Sequence, residues 1–371
     1  MRIIIAGDFS LQGRVAKCND LDVLKYLMGG VNHCRSADFS VINFESPVTE
    51  VRTPILKDGP NLKNPPVSYK LLKSIGFNVF TLANNHLKDF GSQGVIDTIK
   101  GCQENGFLYV GAGRDLHDAA KPLILKWYNQ TVAIINACEN ESSIAAKDEA
   151  GCAPLDIICL YRQIHELKQV VDKVICIFHG GVEHYQLPTP NMKKKFHFLA
   201  DAGADMIVNH HQHCYSGYEM YNGVPIIYGL GNFYFDNHTQ RNSPWNYGYM
   251  LQVDIEDGLT FKIIPFEQCN ADPKVVMLSG DAFDERLAEL NAVIADDEKL
   301  EKSFEVFVNT HKKPLSTFLP YGNHYLKALY HRGLFPSFLN DKRKVMMLNA
   351  VRCESHREVL LSYLEHAFPK K

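Results

Sequence analysis

The sequence lacks several motifs that would assign it directly to a well-known class of enzyme. No GxxxxGK[ST] motif occurs, which argues against a nucleotide-binding P-loop, and no GxSxG motif supports a serine hydrolase. Gly111-Ala112-Gly113 lacks the third glycine of a dinucleotide fingerprint, so we interpret it as a turn. The ten cysteines form no CxxC pair. None of these patterns therefore identifies a chemistry.

The sequence also lacks long hydrophobic runs and a strong charge of either sign. No segment approaches the roughly 18 apolar residues of a membrane span, and the apolar stretch in MRIIIAGDFS is too short for a signal peptide. We therefore expect a cytoplasmic protein with free thiols and no transmembrane segment. The 39 basic and 42 acidic residues give a net charge of -3, so bulk charge gives no reason to expect a nucleic-acid partner.

Histidine, in contrast, is unusually abundant. The chain has 16 histidines in 371 residues, about twice what ordinary composition gives. Apolar residues at 46% and charged residues at 22% otherwise indicate an ordinary globular protein. The excess of histidine directs the search toward metal sites.

Short β-rich runs alternate with amphipathic segments over the first 270 residues. This alternation predicts an α/β protein with a largely parallel sheet and helices on both faces. The runs over 224–266 have turns but no helix between them, so we expect antiparallel strands there. The predicted strands lie at 2–7, 39–44, 77–83, 107–111, 131–137, 174–180 and 205–210. The predicted helices lie at 20–28, 68–76, 93–105, 157–171 and 193–202.

The pattern changes beyond about residue 270. Apolar residues at three- and four-residue spacing predict helices at 282–295, 298–309 and 342–368. We expect one domain over residues 1–268 and a helical carboxyl-terminal extension over residues 269–371. The extension either shapes a substrate entrance or serves packing and oligomerisation, and amphipathic helices usually cover a core.

Polar residues follow the predicted strands, at the sheet edge where α/β proteins bind ligands. The first strand ends bring Asp8, then Asn43 and Glu45, then Asn84, Asn85 and His86 with Asp89. The later ends bring His179 with Glu183, then His210, His211 and His213, then Asn232 and Asp236. Such oxygen and imidazole ligands suit zinc, manganese and iron. Two cations roughly 3.5–4 Å apart can generate a hydroxide and clamp the oxygens of an in-line displacement.

Each of these residues also has a purely structural interpretation. A Gly-Asp pair after a strand is often a turn or a helix cap, and Asn84-Asn85 is a turn signal. His179 alone is typical of a hydrogen-bonded core histidine, and the run 210–213 is compatible with a solvated loop. Independent turns have no reason to place such residues at five successive strand ends, so the combination favours a metal site.

In their order along the chain, these motifs resemble the CapA, or poly-γ-glutamate capsule-synthesis, family of the metallophosphatase (calcineurin-like) superfamily. The matching stretches cover roughly residues 2–238. They are GDFSL (7–11), NFESPVT (43–49), LANNHLKDFG (82–91), GAGRDLHDAAKP (111–122), HGGVEHY (179–185), GADMIVNHHQHCYSGYE (203–219) and IIYGLGNFYFD (226–236). For residues 1–268, the resemblance implies a four-layered α/β/β/α sandwich with a dinuclear metal site between its sheets.

The resemblance also implies roles for individual residues. The implied metal ligands are Asp8, Glu45, Asn85, His179, His210 and His213. The implied catalytic residues are His86 and Asn85, of which His86 is implied to assist the leaving group. The residues expected to contact substrate or to support the ligands are Asn43, Asn84, Asp89, Glu183, His211, Asn232 and Asp236. The cofactor implied is a pair of divalent ions, and manganese, zinc and iron all suit these ligands.

The sequence departs from the family pattern at several positions. Ser10 stands where many metallophosphatases have histidine, and Gly180 stands where the family often has tryptophan. Asn209 and Gln212 replace a glycine and a proline. His211 lies between the implied ligands His210 and His213 and is a competing candidate for metal ligation.

The resemblance implies a hydrolase of phosphate esters in capsule or exopolysaccharide biosynthesis that uses a metal-bound hydroxide. Two alternatives stay open. One is hydrolysis of a γ-glutamyl or amide bond by the same hydroxide, and the other is a non-catalytic assembly factor that keeps the site for binding or structure. The implied substrate is a small molecule or a glycan- or polyglutamate-related intermediate. The sequence determines neither the metal nor the oligomeric state.

Overall fold

In the computed structural model of the protein, two large β-sheets face each other and helices cover their outer faces. The structure describes residues 1–29, 31–279, 281–310, 332 and 340–367. The strands are β1 (Arg2–Ser10), β2 (Phe39–Phe44), β3 (Val79–Thr81), β4 (Leu108–Val110), β5 (Ala112–Gly113), β6 (Leu123–Trp127), β7 (Gln130–Cys138), β8 (Gly151–Cys152), β9 (Lys173–His179), β10 (Met206–His210), β11 (Tyr218–Tyr221), β12 (Val224–Ile227), β13 (Asn232–Phe235), β14 (Tyr247–Ile255), β15 (Leu259–Gln268) and β16 (Val275–Met277). The α-helices are α1 (Leu21–Leu27), α2 (Val67–Ile75), α3 (Gly91–Glu104), α4 (Leu116–Ala119), α5 (Ile157–Leu167), α6 (Pro190–Asp201), α7 (Asp281–Ile294), α8 (Asp297–Thr310), α9 (Asp341–Arg352) and α10 (Glu354–Ala367).

The parallel strands of both sheets bring their carboxyl ends to one edge. The first sheet runs in the order β16-β15-β14-β1-β2-β3-β4, with β13 also paired to β1. The second sheet runs in the order β11-β12-β10-β9-β7-β6. Strands β1 to β4 are parallel in the first sheet, and β7, β9, β10 and β12 are parallel in the second. Each sheet therefore presents several strand ends on one side, where ligands bind in α/β proteins.

The period-two alternation of β1 separates the layers. Ile3 and Ile5 are buried in a core that also contains Ile134 of the second sheet, whereas Ile4 is buried in a core that contains Leu72 of α2. Successive side chains of a strand point to opposite faces, so the first sheet packs on the second sheet with one face and on helices with the other. Helices α5 and α6 contribute to the core of the second sheet. The α/β class and the four-layered sandwich are confirmed.

Two strands run in a direction that the sequence did not predict. We expected residues 224–266 to form antiparallel strands, yet β12 is parallel to β10 and β13 is parallel to β1. Strands β14 and β15 are antiparallel, as expected. Hydrophobic pattern indicates burial and not direction. The unpredicted strand β11 forms a hairpin with β12, and this reversal lets β12 enter the sheet in parallel.

The predicted helix at 342–368 is two helices, α9 and α10. Cys353 has extended backbone (φ -68°, ψ 129°) between them, and its thiol donates to the Glu139 carboxylate at 3.3 Å. This break depends on a distant partner, so helical spacing alone could not reveal it. Residue 368 lies outside the described residues.

Strand β16 follows residue 268 in the chain and pairs with β15. The domain boundary between residues 268 and 269 stays a prediction. Among the described helices, none is both long enough and apolar enough to cross a membrane.

Gly7 marks a close approach of β1 to the residue that precedes β13. A Cβ at Gly7 would lie 1.8 Å from the carbonyl oxygen of Gly231, which is a backbone atom. We expect Gly7→Ala to lower the free energy of unfolding by about 2–3 kcal/mol, because the two strands must move apart. Gly258→Ala is the control and should be near wild type, because nothing lies within 4 Å of its added Cβ. Urea unfolding measures both, and equal midpoints for the two variants would contradict the close approach.

Candidate metal centre

Asp8 lies within β1, at a shift in strand register. The pairing of β1 with β2 and with β13 is irregular next to Asp8, and this residue is 1% exposed. Its Oδ1 accepts a hydrogen bond from the Asn43 amide at 2.6 Å, and its Oδ2 accepts one from the backbone N–H of His211 at 3.2 Å. Since Asn43 is the penultimate residue of β2 and His211 follows β10, the Asp8 carboxylate joins the edges of the two sheets.

Glu45 follows β2 and is a carboxylate buried without a hydrogen bond. It is 0% exposed, and neither of its side-chain oxygens has a hydrogen-bond partner among the residues described. Its Oε1 lies 3.7 Å from Nε2 of His213 and 3.8 Å from Nε2 of His179. These distances are longer than hydrogen bonds. The oxygen therefore faces two imidazole nitrogens without bonding to either.

The Asn84-Asn85-His86 run after β3 has two different functions. The Asn84 amide donates to the carbonyl oxygen of Phe44 at 3.0 Å, and its side-chain oxygen accepts from the N–H of His86 at 3.1 Å. Asn84 thus stabilises the turn. Asn85 instead reaches toward the second sheet, where its Oδ1 lies 3.1 Å from Nε2 of His179.

His179 ends β9 and stands in the middle of the cluster. Its Nδ1 lies 3.2 Å from the Asn43 amide nitrogen. Its Nε2 lies 3.1 Å from Asn85 Oδ1 and also 3.1 Å from Nδ1 of His211. Three atoms that can each ligate a metal therefore lie side by side.

His211 and His213 occupy unusual backbone conformations after β10. Their φ values are 92° and 56°, a region that residues other than glycine seldom adopt. Nδ1 of His213 lies 2.9 Å from the side-chain oxygen of Asn232. An amide oxygen only accepts, so Nδ1 carries the proton and Nε2 keeps a lone pair on the side of Glu45. Asn232 thereby fixes the tautomer that a metal ligand needs.

His210 and His211 carry unpartnered ring nitrogens. Within the described part of the chain, neither nitrogen of His210 has a hydrogen-bond partner, and Nε2 of His211 also has none. Nδ1 of His210 lies 3.7 Å from Asp8 Oδ1. Nε2 of His211 lies 3.8 Å from Glu141 Oε1.

Lys57 is a site residue that the sequence did not reveal. Its ammonium donates to the Asn85 carbonyl oxygen at 3.0 Å and to the Asp89 carboxylate, and it lies 3.1 Å from Nδ1 of His86. Asp89 Oδ2 lies 2.7 Å from the same Nδ1. The Lys57 side chain is 5% exposed. It comes from an irregular loop before α2, where no periodicity or motif indicates burial.

Burial decides the protonation of the cluster. It lowers the pKa of His210 to about 3 and that of His211 to about 4, so both rings are neutral at pH 7 and keep a lone pair. Burial raises the pKa of Asp8 and of Glu45, and the neighbouring Asp8 charge raises that of Glu45 further. Two buried carboxylates beside neutral imidazoles leave negative charge without compensation, which a cation would supply.

These residues fit a divalent metal. Ligand atoms of Asp8, Glu45 and His213 all lie within 4.8 Å of one another. Native proteins satisfy most of their buried polar atoms, whereas the oxygens of Glu45 and three imidazole nitrogens nearby lack hydrogen-bond partners in the described ranges. Carboxylate oxygens and neutral imidazoles are the ligands of zinc, manganese and iron. The cluster is therefore a candidate metal centre.

The surroundings of Asp236 and Glu183, which the sequence also singled out, differ from those of the buried cluster. The Asp236 carboxylate is 2.9 Å from Arg14 and 2.7 Å from Arg241, so guanidinium groups neutralise it. Glu183 is exposed in the loop after β9, and its charge contributes to the raised pKa of Glu45.

The two facing sheets, with the carboxylate and imidazole cluster at their joined edges, define a four-layered α/β/β/α protein with a candidate metal centre. The chain belongs to the family described as bacterial capsule synthesis protein PGA_cap, which matches residues 2–237. The resemblance read from the sequence is confirmed. Strands β14 to β16 and helices α7 to α10 lie beyond the matched range.

Two curated relatives carry capsule-related names. The chain is 33% identical over 248 residues to the PGA biosynthesis protein CapA of Bacillus subtilis (strain 168), covering 65% of this chain and 64% of that protein. It is 31% identical over 261 residues to the capsule biosynthesis protein CapA of Bacillus anthracis, covering 66% of this chain and 61% of that protein. The match thus spans less than two thirds of either relative. Among solved structures, the calcineurin-like phosphoesterase YfkN of Bacillus subtilis aligns at 14% identity with a TM-score of 0.39, covering 81% of this chain and 98% of that one.

Glu45→Gln tests whether Glu45 is a buried charge that needs a cation. Burial raises its pKa well above the ordinary value, so its ionisation destabilises the folded protein above the folded pKa. That penalty is absent below the unfolded pKa, near 4.3. In metal-free protein, we expect the substitution to raise the free energy of unfolding at pH 8 by more than about 1 kcal/mol and to change it little near pH 4.

Urea unfolding in the presence of a chelator, at both pH values, measures this difference. Asp148→Asn removes a carboxylate at an exposed position and should have little effect at either pH. A loss of stability at pH 8 in Glu45→Gln, or an equal gain at both pH values, would contradict the assignment.

Proposed function

We propose that the protein is a metal-dependent hydrolase that cleaves a phosphoester in capsule or exopolysaccharide biosynthesis. The observation that carries the proposal is the buried cluster around Asp8, Glu45 and His213, whose ligand-type atoms converge while several lack hydrogen bonds. The names of the relatives concern PGA and capsule biosynthesis. Because of these names, we propose that the substrate of this chain is related to polyglutamate or to a glycan.

Two divalent ions would be held beside Glu45 in this proposal. Asp8, His210 and His213 would hold one of them, and Asn85, His179 and His211 would hold the other. We include His211, which the sequence suggested only as a supporting or competing residue, because its Nδ1 lies 3.1 Å from His179 Nε2. A pair of such ions supplies Lewis-acid polarisation and neutralises charge that develops on a transferred phosphoryl group.

His86 serves the leaving group in this proposal. Its Nδ1 lies 2.7 Å from Asp89 Oδ2, and a carboxylate only accepts, so this nitrogen carries a proton. In the protonated ring, Nε2 can donate a proton or a hydrogen bond to the departing oxygen. Lys57 neutralises Asp89 and also binds the Asn85 carbonyl oxygen. Lys57 and Asp89 are therefore positioning residues that hold His86 and Asn85 in place.

A non-catalytic assembly factor is the second candidate, and one observation favours it. Ser10 stands where many metallophosphatases have a histidine, and its hydroxyl lies 3.2 Å from the hydroxyl of Ser46 and accepts from Gln12 at 3.0 Å. Ser10 is thus engaged with protein groups, and the first ion would have one imidazole fewer. The same ligands also suit hydrolysis of a γ-glutamyl or other amide bond.

Turnover by the metal-loaded protein tests the proposal. The probes are bis(p-nitrophenyl) phosphate for phosphoesters and γ-glutamyl p-nitroanilide for amide bonds. We expect phosphoester hydrolysis, with kcat lowered about tenfold or more in His86→Ala because the charge that develops on the leaving oxygen loses a hydrogen-bond donor. His117→Ala, at an exposed position on α4, should leave kcat unchanged.

Equal rates in wild type and His86→Ala would contradict the role of His86. Cleavage of the anilide alone would redirect the proposal to an amide bond. Absence of turnover with both probes, in protein that holds its metal, would favour the assembly factor.

A further inference from the structure

Helices α9 and α10 dock against the loop that follows β7, at the sheet edge that carries the candidate metal centre. The Ser355 hydroxyl donates to the Glu139 carboxylate at 2.7 Å, and the Asn140 amide donates to the Glu354 carboxylate at 2.6 Å. Both helices lie outside the residues that match the family. Their docking is therefore a property of this chain that the family match does not describe.

Gly180 leaves room for this docking. A Cβ at Gly180 would lie 2.6 Å from Cγ of Glu139, so a side chain there would displace the carboxylate that Ser355 binds. Glu139 is 5% exposed and also accepts a hydrogen bond from the backbone N–H of Ser355 at 3.3 Å. Because Gly180 directly follows His179, the docking site adjoins a proposed metal ligand.

A cavity of about 210 Å³ lies between α9 and the Lys57 loop. Asn349 and Arg352 line it from α9, and Lys57, Asp58 and Glu141 line it from the other side. Two of these residues contact the centre already described. Lys57 lies 3.1 Å from Nδ1 of His86, and Glu141 Oε1 lies 3.8 Å from Nε2 of His211. The cavity therefore adjoins the place where the reacting group of a substrate would lie.

The charged side chains around this cavity differ in their ion-pair and hydrogen-bond partners. Lys57 is paired with Asp89, and Glu141 accepts a hydrogen bond from the Asn349 amide at 3.3 Å. Arg352 is exposed, and its guanidinium has no hydrogen bond or ion pair with any residue that the structure describes.

A free guanidinium recognises planar anions such as carboxylates through paired N–H groups. Asp58 and Glu141 on the opposite wall would repel a doubly charged phosphate. The same two carboxylates would accept N–H groups, such as those of an amide or an ammonium. The lining therefore favours a singly charged carboxylate that is attached to an amide or amine. The volume of the cavity is small for a ligand pocket. The cavity therefore suits a single residue of a larger substrate.

We propose that this cavity is a subsite for one carboxylate-bearing residue of the substrate, in which Arg352 binds the carboxylate and α9 forms one wall. The idea of a substrate at this edge rests on the proposed function, whereas binding in the subsite does not require turnover. In this proposal α9 determines specificity, and the ions and His86 determine the reaction.

Calorimetric titration of the metal-containing 371-residue chain tests the subsite. The probes are the dipeptide γ-glutamylglutamate and the same dipeptide with every carboxyl group converted to a carboxamide. We expect Kd for the dipeptide to rise at least tenfold in Arg352→Gln, and less in Arg352→Lys, which keeps the charge but loses the fork of N–H groups. The capped dipeptide should bind wild type at least tenfold more weakly than the free one.

Lys344→Gln is the matched control, because it removes one positive charge from the same helix. Lys344 pairs with Asp341 at 3.0 Å and does not line the cavity, so Kd should stay at the wild-type value. Thermal melting confirms that each variant is folded, and mass spectrometry confirms that the recovered probe is intact.

Equal Kd values for wild type and Arg352→Gln, equal Kd values for the two probes, or no binding by wild type would each overturn the subsite. The proposed function fails separately. A protein that binds the dipeptide through Arg352 but cleaves neither chromogenic substrate keeps the subsite and loses the hydrolase. A protein that hydrolyses phosphoesters without dependence on Arg352 for dipeptide binding does the reverse.

Discussion

The structure depends on the burial of two carboxylates, Asp8 and Glu45, where the edges of two β-sheets meet. Desolvation makes their charged forms costly, and the surrounding histidines are too deeply buried to become cations at neutral pH. Protons or metal ions are the two ways to compensate this charge. Because the amide of Asn43 and the backbone of His211 fix Asp8 from both sheets, the same contacts that join the sheets also shape the proposed metal centre.

Much of this arrangement could be predicted from the sequence, because parallel strands bring residues that are distant in sequence to one edge. The strand ends at Asp8, Glu45, Asn85, His179 and His213 lie together for that reason. Other features depend on tertiary contacts that no local pattern records. Lys57 comes from an irregular loop, and its buried ammonium donates hydrogen bonds to Asp89 and to the Asn85 carbonyl oxygen. The direction of β12 depends on a hairpin with a strand that was not predicted.

Two departures from the family pattern have physical counterparts in the structure. Ser10 is fully buried and lies within hydrogen-bond distance of Ser46, so it is part of the packing between strand ends. Gly180 provides space for the Glu139 carboxylate, which holds the junction of α9 and α10 through Ser355 and Cys353. The second departure connects a small residue beside a proposed ligand to a helical pair beyond the matched range. In the proposed function, the part of the chain that matches the family holds the metal centre, and helices α9 and α10 form part of the surroundings of the substrate.

Metal content of the untagged 371-residue chain tests the central claim most directly. Wild type would be incubated with manganese or zinc, freed of unbound metal, and compared by inductively coupled plasma mass spectrometry with Asp8→Asn and with the exposed control Asp148→Asn. We expect about two divalent ions per chain in wild type and in the control, and a clear loss in Asp8→Asn. No bound metal in folded wild-type protein, or equal metal content in all three proteins, would contradict the metal centre.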